Sequence, residues 1–171
     1  MDKKYFELMM EYNKNTNEKM NNIIKTLSEN DWNKCFSGYY KSIHELCSHL
    51  FVGDYTWLKR FKNLNKFKNL SGNYFNKNLN FNEILFENIP EYLIKRTELD
   101  NIILKFFDEL GEDDLEKELK WTNLKGIQFE KKLGVCLIHL SHHQTHHRGM
   151  ISLYLEFIGK ENDYSNLYPY G

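Results

Sequence analysis

The sequence is poor in several things, and each shortage narrows the reading. Proline occurs only twice in 171 residues, at Pro90 and Pro169, so long stretches are free to run as unbroken helix. Cysteine occurs three times, at Cys35, Cys47 and Cys136. The number is odd, the spacing is wide and no CxxC pair is present, which argues against a disulfide framework or a thiolate zinc site. Charge of one sign is missing too: Lys and Arg total 23, Asp and Glu 24, for a formal net charge of -1. A chain that binds nucleic acid or an anionic membrane through bulk charge would show a basic excess. No apolar run approaches the roughly 18 residues of a membrane helix. Met1-Asp2-Lys3-Lys4-Tyr5 leads into a polar amphipathic stretch instead of the apolar core of a signal peptide. These absences place the protein in the cytoplasm, with neither nucleic acid nor membrane as partner. The length suits a single domain over residues 1–171.

Helical periodicity is abundant. A first helix is expected over Lys3–Leu27, where Phe6, Met10, Asn13, Thr16, Met20 and Leu27 recur at steps of three and four. Asn13 and Asn17 lie on or beside that stripe, and buried amides there need hydrogen-bond partners across the bundle. After a connector from Ser28 to Tyr39, a second helix is expected over Lys41–Lys62, with Ile43, Leu46, Leu50, Asp54, Trp57 and Phe61 inward. Residues 63–88 read as a long irregular connection with a short helix around Glu83–Phe86. Pro90 suits the first turn of a third helix, whose inner face is read as Leu93, Thr97, Asp100, Leu104, Phe107 and Leu110, with Gly111 as its stop. Asp113–Leu115 suggests a short turn. Lys120–Gln128, with Trp121, Leu124 and Ile127 around Gly126, suggests a small hairpin. The last helix is expected over Lys131–Ile158, capped by Gly159. Cys47 and Cys136 fall on apolar faces as buried thiols. The expected fold is all-α: a four-helix bundle with a long connection between helices two and three and a small hairpin before helix four.

Five of the seven histidines lie between His139 and His147. On a helix, residues four apart differ by about 40° around the axis. His139, His143 and His147 therefore share the inner face, while His142 and His146 point toward solvent or a partner. Two neutral imidazoles at i and i+4 can grip one metal ion, and a third ligand must come from elsewhere. His49, beside the Leu46–Leu50 stripe, suits this better than His44, which is rotated away. Three histidines leave a coordination position open, the catalytic pattern. The competing readings are hydrogen-bonded core histidines and an exposed basic cluster. Three familiar signatures do not fit. His44-Glu45 lacks a second histidine at position 48, which is Ser48. No Glu stands three residues before any of the five clustered histidines, as a di-iron bundle requires. The histidine boxes of membrane desaturases need spans that are not present.

Ser42-Ile43, His49, Asp54 and Trp57, with Tyr12-Asn13 and Asn17, resemble the DinB-like (damage-inducible) family. The string from His139 through His143-Gln144-Thr145-His146-His147-Arg148-Gly149 is similar to its last-helix signature. The resemblance spans nearly the whole chain. Met150 stands where the family usually has Gln, and His142 where it often has Asn. The resemblance implies a four-helix bundle, often a homodimer, with a zinc- or nickel-binding triad at His49, His143 and His147. It further implies a metal-dependent S-transferase that joins a low-molecular-weight thiol to a small electrophile. In that scheme Asp54 either orients a ligand imidazole or pairs with Arg148, and Arg148 either makes an interhelix ion pair or binds a carboxylate of the thiol. Trp57 and Tyr154 read as core. The alternatives are a metal-dependent hydrolase and a non-catalytic, stress-related metal- or ligand-binding protein.

Overall fold

The computed structural model describes residues 2–123 and 125–170; Leu124 of the expected hairpin lies outside them. Helix α1 spans Lys3–Ile24, with the Asp2 carboxylate accepting the Lys4 N–H at 2.8 Å. It ends one turn before the expected Leu27. Ser28 there caps a further short helix, α2 (Glu29–Trp32), by accepting the Asp31 N–H at its hydroxyl. Helix α3 runs Ile43–Lys62. Ser42 accepts the Glu45 N–H and the Glu45 carboxylate takes the Lys41 N–H at 2.6 Å, which holds Lys41 outside the helix.

The connection from 63 to 88 contains two 3-10 turns, Lys68–Leu70 and Asn73–Asn76. The helix expected around Glu83–Phe86 does not form. Four residues are too few to nucleate one unaided, and the Ser48 hydroxyl captures the Leu85 N–H at 3.3 Å while Phe86 is buried.

Asn88 caps helix α4 (Ile89–Glu109), with Pro90 in its first turn. Its inner face is turned by about one residue from the expected one. Tyr92, Arg96, Leu99, Asp100, Ile103, Phe106 and Phe107 are buried, Leu93 and Leu104 are half-buried, and Thr97 is exposed. The cause is Arg96, a charged residue that belongs inside because its ion partners are there. Gly111 is not the stop either. Leu110 ends α4 in an extended conformation, and the Gly111 N–H bonds to the Asp114 carboxylate to open the 3-10 turn Glu112–Glu116.

Strands β1 (Glu118–Thr122) and β2 (Gln128–Lys132) form the hairpin, antiparallel, with Trp121 opposite Phe129. Lys131 and Lys132 thus belong to a strand, and helix α5 begins later than expected, over Leu133–Phe157. Gly159 adopts φ +75°, and the N–H groups of Gly159 and Lys160 bond back to the carbonyls of Glu156 and Leu155. This is the glycine-dependent stop that the sequence suggested.

The chain is thus mostly helical with one small sheet. α3 packs on α5 and α4, and α1 packs on α4 and α5, so each long helix has two long neighbours. Cys47 and Cys136 are buried, as are Trp57 and Tyr154. Among the described residues, no helix is long and apolar enough to cross a membrane.

Candidate metal centre

α3 and α5 lie side by side, and three histidines face one another across that contact. One nitrogen from each of His49, His143 and His147 lies within 4.8 Å of the others. His49 Nε2 and His143 Nε2 are 3.1 Å apart. Nitrogens bound tetrahedrally to an ion at 2.0–2.1 Å would stand about 3.3 Å apart, so this pair already has the required spacing. Two imidazole nitrogens this close satisfy each other only through a shared proton or a shared cation.

The electrostatics keep these rings neutral. Burial, followed by the neighbouring imidazoles, pushes both His143 and His147 down to about 3. His49 is lowered as well, chiefly by burial. Nδ1 of His143 and Nδ1 of His147 are buried without a hydrogen-bond partner, a costly state for polar atoms. A cluster of deprotonated, under-satisfied nitrogens is what a divalent ion requires of its ligands.

Neighbouring groups orient the triad. His49 Nδ1 lies 3.4 Å from the Phe81 carbonyl; donation there leaves the Nε2 lone pair facing His143. Tyr40 covers the outer side, its ring 4.6 Å from His49 and edge-on to His147 at 5.4 Å. Burial pushes its hydroxyl up to about 12. Gly53, one turn after His49, makes room for His143: a Cβ there would lie 2.6 Å from the His143 Cε1.

The remaining histidines stand apart. His44 is buried away from the triad, stacked on Trp32 with Nδ1 2.9 Å from the Asn33 side-chain oxygen, while its Nε2 has no partner among the described residues. His139, expected on the inner face, is exposed. It rests on Trp57 at 5.1 Å, and its ring is 6.0 Å from that of His143. His142 and His146 are exposed, as their spacing indicated.

Asp54 and Arg148 are held by partners other than a ligand imidazole or each other. The Asp54 Oδ2 accepts from Arg96 Nη1 at 2.7 Å and from the Gln144 amide. It neither bonds to a ligand imidazole nor pairs with Arg148. Arg148 is buried and donates to neutral amides: Asn13, Asn17 at 3.1 Å and Gln144 at 3.2 Å. Arg96 Nη2 also reaches Asp100 at 2.6 Å, and Asp100 accepts from Asn17 at 3.0 Å. Burial alone would lower the Arg96 guanidinium, but Asp100 and Asp54 more than offset that and hold it charged. The buried amides of α1 have their cross-bundle partners.

Gly53, Tyr40, Phe81 and Arg96 were not singled out from sequence. Gly53 carried a signal, a glycine inside a helix one turn beyond a candidate ligand. Phe81 acts through its backbone carbonyl, and Tyr40 sits in a connector without periodicity, so neither carried one.

A comparison with curated proteins returns no match. The profile of the DinB family matches residues 1–168. With that match over almost the entire chain, and a three-histidine cluster that could hold a metal ion, the chain belongs to the DinB family.

Proposed function

We propose that this is a metal-dependent thiol S-transferase on a four-helix bundle, with His49, His143 and His147 holding one Zn²⁺ or Ni²⁺ ion. The observation that carries the reading is the convergence of three neutral imidazoles within 4.8 Å, two of them with facing nitrogens 3.1 Å apart. Three protein ligands leave room for an exogenous one. When bound, the ion supplies the positive charge that keeps a thiol sulfur deprotonated.

The chain's own residues do the rest. Phe81 fixes the tautomer of His49 through its carbonyl, and Tyr40 keeps bulk water from the covered side. A cleft of about 260 Å³ lined by Tyr40, Phe81 and Glu45 adjoins the triad and is the proposed approach for the small reactants. Tyr40 holds its proton far above neutral pH and so acts there as a hydrogen-bond donor. In the transfer, the sulfur lone pair forms the new bond to the electrophile. The leaving group departs with its bonding pair, and the thiol proton goes to solvent. We place the protein in the cytoplasm as a homodimer.

The test compares metal-loaded and metal-stripped protein against a panel of low-molecular-weight thiols and electrophiles, following thiol loss and product mass. Conjugation that requires the metal supports the transferase reading. No conjugation at full metal occupancy contradicts it and leaves a metal-binding protein.

A further inference from the structure

A second cleft, about 470 Å³, opens where the hairpin meets α3. Lys59, Arg60 and Lys77 line it, with Leu79, Phe81 and Trp121, and no lining residue is acidic. Arg60 is unusual among the cations. Its guanidinium lies 4.5 Å from the Trp57 ring and 5.3 Å from the Trp121 ring. Among the described residues its side chain makes no hydrogen bond and no ion pair. Lys59, by contrast, donates to the Lys77 carbonyl and the Asn78 side chain, both at 2.7 Å. The two indole rings, themselves 5.3 Å apart and nearly edge-on, strip water from the guanidinium on the side they share and leave its N–H edge without a partner, a fork that matches a carboxylate.

The cleft is also aligned with the triad. Gly53 and Arg60 are seven residues apart on α3, two turns on one face, roughly 10 Å along the axis. An arginine side chain on a helix leans toward the N-terminus, here back toward Gly53 and the His143 ring above it. Trp57 and His139 continue the row between them. Phe81 lines the cleft, and its ring lies 5.7 Å from that of His49.

We infer that Arg60 is the recognition group for a carboxylate on a small molecule processed at the triad, with Leu79, Phe81 and Trp121 receiving the molecule's apolar body, a role that rests on the transferase reading above. Arg60 is a binding residue and takes no part in bond making. The carboxylate belongs either to the thiol or to the electrophile, and the probes below separate the two.

The chain has three tryptophans, so their indole N–H signals in a nitrogen-proton NMR spectrum provide an internal control. Metal-free protein titrated with hexanoate should show saturable shifts of Trp57 and Trp121, with Trp32, buried elsewhere, unmoved. Hexanamide, neutral and of equal size, should bind at least tenfold more weakly. Arg60→Gln should reduce hexanoate affinity at least tenfold, whereas Lys77→Gln should change it less than threefold. Equal shifts from hexanoate and hexanamide in the wild type overturn the inference whether or not the variant folds, as does hexanoate binding retained in folded Arg60→Gln. A Co²⁺-loaded sample then reads thiol ligation by its sulfur-to-cobalt charge-transfer band. A preference for 6-mercaptohexanoate over 6-mercaptohexanol that is lost in Arg60→Gln assigns the carboxylate to the thiol. A band of equal strength with both thiols, beside intact hexanoate binding, assigns it to the electrophile. No band with either thiol counts against the transferase reading and not against the Arg60 site.

Discussion

Two polar clusters share the interior, one turn apart, and they are built on opposite terms. The network of Asp54, Arg96, Asp100, Asn17, Asn13, Gln144 and Arg148 is balanced in charge: two carboxylates face two guanidinium groups, with amides bridging between them. Among the described residues, only Asp54 Oδ1 and Arg96 Nε of its buried ionic atoms lack a hydrogen-bond partner. The triad of His49, His143 and His147 is open. It carries no counter-charge of its own, its rings are driven neutral, and two of its buried nitrogens have no partner. A buried cluster whose charges cancel holds helices in register, whereas neutral nitrogens crowded together without a counter-charge suit a cation from outside the chain. Both clusters draw on α3 and α5, so the network fixes the frame on which the triad is displayed.

Breaking the network should cost stability and spare the metal. Asp54→Ala leaves Arg96 buried beside a single carboxylate, and loss of one partner from a buried pair costs about 3–5 kcal/mol. Chemical denaturation should report that loss, while metal bound per folded chain stays at the wild-type value. Breaking the triad should do the reverse. Gly53→Ala puts a Cβ against the His143 ring. Metal affinity, measured by competition with a chelator, should fall at least about tenfold. The metal-free protein should meanwhile lose little, because alanine favours a helix interior by about 0.5–1 kcal/mol over glycine.

Acid should separate the clusters further. His143 and His147 titrate near 3 when folded and near 6.5 when unfolded. Between those values the unfolded chain binds more protons. The stability tied to these neutral rings is therefore present above about 6.5 and lost as pH falls toward 3. Metal-free protein should weaken steadily over that window, and substituting both histidines with Gln should flatten the slope. Smallest of all, His139→Ala should leave metal affinity within about twofold, since that ring is exposed and outside the triad. A large loss there would redraw the site.

What the sequence allowed depended on how local each signal was. The i, i+4 spacing of His143 and His147, the Pro90 start of α4 and the Gly159 stop are encoded within a few residues, and each can be read without the fold. The register of α4 could not be. Arg96 reads as a surface cation until Asp54, 42 residues earlier, is seen to meet it. The same long-range pairing occupies the Asp54 Oδ2, a partner that nothing local in the sequence indicates. Phe81 serves His49 through a backbone carbonyl, which has no side-chain signature at all. Residues Glu83–Phe86 form no helix, and the Leu85 N–H goes to the Ser48 hydroxyl instead, a tertiary contact that no local pattern announces.

The central claim is that the triad holds one divalent ion, and metal content tests it most directly. Tag-free wild type and His143→Ala, purified identically and reconstituted with Zn²⁺ or Ni²⁺, should be compared by elemental analysis. The account predicts about one ion per chain in the wild type and loss of that ion in the variant. No ion in the reconstituted wild type, or the same content in both proteins, would contradict it and make the histidines structural.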